Sequence, residues 1–157
     1  TAGSAEKCAA CVELGADLAV NYRNDDFETV LQERTGGAGV DVILDMVGGD
    51  YINRNIRLAA TDGRIVNIAF QGGFEAAVNF VPVLLKRLTL TASTLRPQSA
   101  EAKAAIAAQL LEHIWPRLES GDISPVIAAT FPLQDAAAAH ELMESSAHIG
   151  KIILTLR

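Results

Sequence analysis

One run limits the fold of this chain more than any other. "VDVILDMVGG", residues 40–49, is almost continuously apolar and ends on two glycines. A strand with one wet face alternates apolar and polar residues, so a nearly continuous apolar run fits a strand buried on both faces of a parallel sheet. Parallel neighbours need crossover connections, and helical patterns are therefore expected on either side. Upstream, residues 25–35 place Phe27, Val30 and Leu31 at helical spacing, with acidic residues in the first turn where the helix dipole favours them. "GGAG" at 36–39 ends that helix. Downstream, residues 51–60 read as a helix, "DGRIVNIAF" at 62–70 as a turn and strand, 81–86 as a short helix, and "LTLTAST" at 88–94 as another strand. Ahead of all these, residues 6–14 favour helix, Gly15 and Ala16 make a stop, and residues 18–22 read as a short strand. The rhythm predicts an α/β fold with a doubly wound parallel sheet.

The character of the chain changes after Pro97. Residues 101–118 are alanine-rich, with Ile106, Leu110, Leu111, Ile114 and Leu118 spaced for one apolar face of a long helix. "SGDISPV" breaks it. The remainder, "IAATFPL", "QDAAAAHELMESS" and "GKIILTLR", reads as strand, helix, strand, and Pro132 suits a strand end.

Composition narrows the function classes. The chain has 157 residues, half of them hydrophobic, which suffices for a sizeable core. A formal charge of -6 argues against nucleic acid or an anionic membrane as partner, since both need a basic face. No apolar run reaches the roughly 20 residues that span a bilayer, and the chain opens without a signal segment, which suits the cytoplasm. Cys8 and Cys11 form a CxxC, but they lie inside a helical run and the remaining soft ligands are three scattered histidines, His113, His140 and His148. That set is too small for structural zinc. The spacing instead places Cys8 with Val12 on one apolar face, as buried small hydrophobes.

Ligands of such sheets bind at the carboxyl ends of the strands. Three loops there have a suitable composition: "DMVGGD", "NIAFQGG" and "STLRPQS". Glycines let a backbone approach a ligand closely, and they equally serve plain turns. The phosphate-binding G-x-G-x-x-G is not in this sequence.

In their order these segments resemble the quinone oxidoreductase branch of the medium-chain dehydrogenase/reductase superfamily, the zeta-crystallin-like enzymes. The matching residues are T-A-G-S-x-x-K at 1–7, L-G-A at 14–16, N-Y-R at 21–23, G-x-G-V-D-V-I-L-D-x-V-G-G at 37–49, D-G-R at 62–64, T-L-R-P at 94–97 and H-I-G-K-I-I-L at 148–154. The resemblance implies a partial Rossmann-like sheet, begun at the end of its second strand, plus a C-terminal segment belonging to a catalytic domain. Residues 1–98 would be the nucleotide-binding domain without its first strand and glycine-rich loop, 99–124 a connecting helix, and 125–157 the return into the catalytic domain.

The resemblance also implies the cofactor and its contacts. The end of the second strand selects between NAD and NADP, and "TAGS" offers no carboxylate for ribose hydroxyls. Gly3, Ser4, Lys7 and Tyr22 are thereby candidates for the 2′-phosphate of NADPH, with Arg23 a weaker one. Lys7 reads equally as a solvated helix charge and Tyr22 as a strand-end aromatic. Val47, Gly48, Ile68, Ala69 and Phe70 resemble the loops that meet ribose and nicotinamide, although Ile68 also fits the core. Leu95 and Arg96 follow the last strand, where main chain or arginine meets cofactor, or where Arg96 is ion-paired. Lys151 is a candidate for the pyrophosphate. No catalytic acid, base or nucleophile is identified, and the family branch is zinc-free. The implied activity is NADPH-dependent reduction of quinones. An enone reductase and a non-catalytic dinucleotide-binding or structural protein are the alternatives. A homodimer through an edge strand at 88–94 is expected, with Leu88, Leu90, Ala92 and Thr94 turned to the core.

Overall fold

A computed structural model describes residues 1–156. The chain forms two compact units, one of residues 1–98 and a second from Ser99 onward. In the first unit the elements are α1 (Ala5–Glu13), α2 (Phe27–Arg34), β1 (Val40–Asp45), α3 (Tyr51–Leu58), β2 (Ala59–Asn67), α4 (Val81–Lys86) and β3 (Thr89–Ala92). The three strands form one parallel sheet in the order β1-β2-β3. This is the α/β, Rossmann-like class that the apolar run and its flanking helices predict.

Local chemistry explains the boundaries. Ser4 caps α1 by accepting from the Lys7 amide at 3.2 Å, and Asp26 caps α2 by accepting from the Thr29 amide at 3.3 Å. Gly15, with φ of 104°, follows the end of α1. α4 closes on Arg87 in the left-handed conformation. Between β1 and β2 the register jumps: Val40 pairs with Ala59, but Val42 pairs with Arg64. The residues between, including Asp62 with φ of 63°, bulge out of the ladder as the D-G-R turn.

Two apolar clusters share Ile43 of β1. Val20, Phe27 and Leu58 form one, joining α2 to α3, while Ile56, Ala59 and Ile65 form the other, beneath α4. Arg54 lies 3.9 Å over the Phe27 ring and pairs with Asp26, and Arg57 binds Glu28 through two bonds of 2.6 and 2.7 Å. Lys86 donates to the carbonyls of Arg57 and Ala59 at 2.7 and 2.8 Å, placing a cation on the open end of α3.

Several expectations change. Residues 18–22 do not form a ladder strand; they make a single parallel bridge, Asn21 with Ala2. Cys8 and Cys11 are half-buried, because α1 has no buried residue. All four residues of β3 are exposed, so Leu90 and Ala92 do not face a core. Of that set, Leu88 alone packs against a cluster.

In the second unit, the single long helix expected at 101–118 is two: α5 (Ala100–His113) and α6 (Trp115–Glu119). Pro116 has no amide to donate and its ring crowds the carbonyl four residues back, so the break falls just before it. The apolar side chains Ile106, Leu110 and Leu111 are exposed. β4 (Ile127–Pro132) and β5 (Lys151–Thr155) pair in parallel, Pro132 ends its strand, and α7 (Ala136–Ser145) packs on both, burying Ala139. Among the described residues no helix is long and apolar enough to cross a membrane.

Candidate cofactor site

Because β1, β2 and β3 are parallel, their carboxyl ends lie on one side, and the loops after Asp45, Asn67 and Ala92 share it. Asp45, Asn67 and Ala92 are aligned by the register, one row across the sheet. Asp45 is 4% exposed and fastens this end. One carboxylate oxygen accepts from the Val47 amide at 2.7 Å, the other accepts from the Asn67 side-chain amide at 2.9 Å, and the Gly48 amide donates to both at 3.2–3.3 Å. A buried carboxylate held by three groups fixes the first loop to the second strand.

The second loop is laced to the first. Ile68 donates to Asp45 at 2.8 Å, Gln71 to Met46 at 3.0 Å and Gly72 to Val47 at 2.7 Å, all through backbone. Gly48, with φ of 68°, has room for no side chain, since a Cβ would lie 2.6 Å from both the Gly73 carbonyl and the Phe70 ring. The structure thus brings Val47 and Gly48 against the loop of Ile68, Ala69 and Phe70. A small cleft of about 350 Å³ opens there, lined by Asn67 to Phe70 and by Ala92, Ser93 and Thr94. Ile68 and Phe70 are exposed, so Ile68 is not a core residue.

A second group gathers at the start of the chain. A Cβ on Gly3 would sit 2.8 Å from the Tyr22 hydroxyl and 3.4 Å from Arg23 Nε, so hydroxyl and guanidinium both lie over Gly3. Ser4 is beside them; its oxygen accepts from Lys7 N, which leaves its O–H to donate. The Tyr22 and Ser4 hydroxyls and the Arg23 guanidinium, at the N-terminus of α1, suit an anion. Tyr22 and Val47 both line a larger cleft of about 720 Å³ beside β1. Leu95 and Arg96 are exposed beyond β3, outside both clefts, and Lys151 belongs to the second unit, where its amide donates to Val126.

Sequence reasoning missed Asp45, Asn67 and Asn55. An aspartate ending an apolar strand ahead of glycines was the available signal for the first, as an Asx turn. Asn55, buried on α3 among apolar neighbours, had none.

The donor set fits a nicotinamide dinucleotide: an apolar cleft rimmed by backbone loops, with the Tyr22 and Ser4 hydroxyls and the Arg23 guanidinium grouped apart. A zinc ion is not fitted, because among the described residues no three His, Cys, Asp or Glu side chains come together.

Comparison with known proteins gives the family. The family described as zinc-binding dehydrogenase matches residues 14–154. Quinone oxidoreductase-like protein 2 of Bos taurus is 31% identical over 159 residues, covering 99% of this chain and 44% of that protein. Among solved structures, an NAD-dependent alcohol dehydrogenase superposes with a TM-score of 0.81 at 31% identity, over 99% of this chain and 43% of its own. The JamJ enoyl reductase superposes with a TM-score of 0.78 at 25% identity, over 97% and 45%. The chain spans less than half the length of these relatives. With a parallel α/β sheet, glycine loops clamped at its carboxyl end and a family match across nearly its whole length, this chain belongs to the zinc-binding dehydrogenases of the medium-chain dehydrogenase/reductase superfamily.

Proposed function

We propose that this chain supplies most of the cofactor-binding part of an NADPH-dependent quinone oxidoreductase. The observation that carries the reading is the pair of loops at Val47–Gly48 and Ile68–Phe70, fastened at the carboxyl ends of parallel strands by Asp45 and Asn67. Residues 1–98 would hold the nucleotide, 99–124 connect, and 125–157 return into a catalytic domain. The nicotinamide, when bound, carries the hydride. This chain's residues bind and orient: Val47, Gly48, Ile68, Ala69 and Phe70 along ribose and ring, Leu95 and Arg96 beyond them, Lys151 toward the pyrophosphate. The absence of a carboxylate in "TAGS", with the Tyr22 hydroxyl over Gly3, Ser4 capping α1 and Lys7 in its first turn, supports NADPH over NADH. A homodimer through β3 accompanies this reading, supported by the exposure of all four residues of that edge strand.

A second reading, reduction of a carbon-carbon double bond conjugated to a carbonyl, is supported by the likeness to the JamJ enoyl reductase. It shares the cofactor site and differs in the acceptor. Turnover assays pairing NADPH with a quinone or with an enone separate the two.

Cofactor choice is tested on the chain itself by titrating NADPH and NADH and following amide shifts by NMR. Binding is expected to be weak, because the glycine-rich turn that holds a pyrophosphate is not in this sequence. Lys7→Glu should weaken NADPH by about 1.5–3 kcal/mol, a charge-assisted phosphate contact, and leave NADH nearly unchanged. Equal losses for both cofactors would overturn the assignment.

A further inference from the structure

We propose that Cys8 and Cys11 form a thiol–disulfide couple, a redox modification site that reshapes the middle of α1. The two lie three residues apart on one helix and both are half-buried, so they share a face that a small oxidant reaches. They are the two cysteines of the chain, which leaves a single intramolecular pairing. Among the described residues no third metal-ligating side chain joins them, so the pair is not a closed metal site.

Helix geometry gives the pair its consequence. Residues three apart on an α-helix hold their Cβ atoms about 5–6 Å from each other, whereas a disulfide draws them to about 3.5–4.5 Å. Closing the bond therefore tightens the turn from Cys8 to Cys11 toward a 3₁₀ turn, in which positions i and i+3 eclipse. The Cys11 amide then swings from the Lys7 carbonyl to that of Cys8. Two backbone bonds at the edges of the turn meet the strain: the Cys8 amide to the Ser4 carbonyl, and the Ala16 amide to the Cys11 carbonyl, each at 3.0 Å. α1 has no buried residue, so no core packing fixes its turns against the change. In the chemical step one thiolate attacks a sulfur of a small-molecule disulfide and displaces one thiol; the other cysteine then attacks the mixed disulfide and displaces the second. The protein thiols lose two electrons and two protons, and the small disulfide takes up both as two thiols. Strained, accessible disulfides are readily reduced, so the step reverses. The inference does not depend on which cofactor or acceptor the protein uses.

The test equilibrates the protein with mixtures of reduced and oxidised glutathione and reads intact mass, free thiols and backbone NMR shifts. The expected product is a single chain lighter by two hydrogens, with no free thiol and no retained glutathione. Its carbon shifts at residues 7–12 should move away from helical values while those of β2 stay unchanged, and excess reduced glutathione should restore the starting spectrum. Cys8→Ser and Cys11→Ser should each retain one glutathione and keep helical shifts through α1. The proposal is overturned if both thiols stay free in oxidised glutathione, if the parent retains two glutathiones, or if its disulfide joins two chains. It is equally overturned if α1 keeps its helical shifts after the bond closes, or if reduced glutathione does not reopen it. These results are read on the unmodified protein and decide the matter whether or not the serine variants fold.

Discussion

At Gly39 a side chain has nowhere to go. Its φ is 82°, and a Cβ there would press on the Leu58 carbonyl and lie 2.8 Å from the Ala60 nitrogen, both backbone atoms that cannot swing aside. Gly39→Ala should cost at least about 1–3 kcal/mol from the backbone conformation alone, read as a lowered urea midpoint. Asp62 presents a different residue-scale case. It sits at φ of 63° and accepts two bonds from Arg87, at 2.7 and 2.6 Å. Those bonds, and then the guanidinium charge, hold its carboxyl below the ordinary value of 3.8. A depressed carboxylate contributes stability above that ordinary value and loses it as pH falls through the depressed one. Asn tolerates the same left-handed backbone, so Asp62→Asn isolates the charge. Thermal melts should place the variant below the parent at neutral pH and level with it in strong acid. A gap that persists in acid would mean that the ion pair is not the cause.

Among the elements, α2 and α3 hold each other. Phe27 is 3% exposed, its ring lies 4.9 Å from that of Tyr51, and Arg54 covers it from the other helix. Removing the ring empties the centre of the cluster that also contains Val20 and Leu58. Phe27→Ala should therefore cost about 3–5 kcal/mol in chemical denaturation. A loss below about 1 kcal/mol would show that the cluster collapses into the gap. The surface pairs of Arg57 with Glu28 contribute far less than this packing, because Arg57 is half-exposed and solvent screens it.

For the whole molecule, the open β3 edge is the assembly question. Thr91 pairs with Val66 on its inner side, and no charge or proline within Thr89–Ala92 blocks a further partner. An isologous contact would join this edge to its own copy about a two-fold axis. The Ser93 amide donates inward to Asn67 at 3.0 Å, and amides alternate along a strand, so that of Leu90 faces the open edge; Leu90→Pro removes that donor and should shift light scattering from dimer toward monomer. A parent protein that is monomeric at high micromolar concentration rejects the dimer. The order of elements was legible from residues such as Val40 to Asp45, whose largely apolar run implies a parallel strand, although Val42 and Leu44 are exposed and the strand is not covered on both faces, and from Val81 to Lys86, whose pattern and bounds match α4. Helix stops at Gly15 and at 36–39 were legible too, because turn chemistry is a property of a few adjacent residues. What surrounds each element was not. Residues 18–22 have a strand's composition and yet make one bridge, since a strand exists only where a neighbour offers a ladder. Leu90 and Ala92 alternate as core residues do and are exposed, because alternation marks a face without saying what covers it. The clamp of Asp45 on Val47, Gly48 and Asn67 spans 22 residues of chain, and the buried Asn55 amide becomes visible only when α3 lies beside β1. Local periodicity and turn residues determined the elements by themselves; burial, register and the convergence of loops depend on distant contacts, and only the tertiary structure decided those.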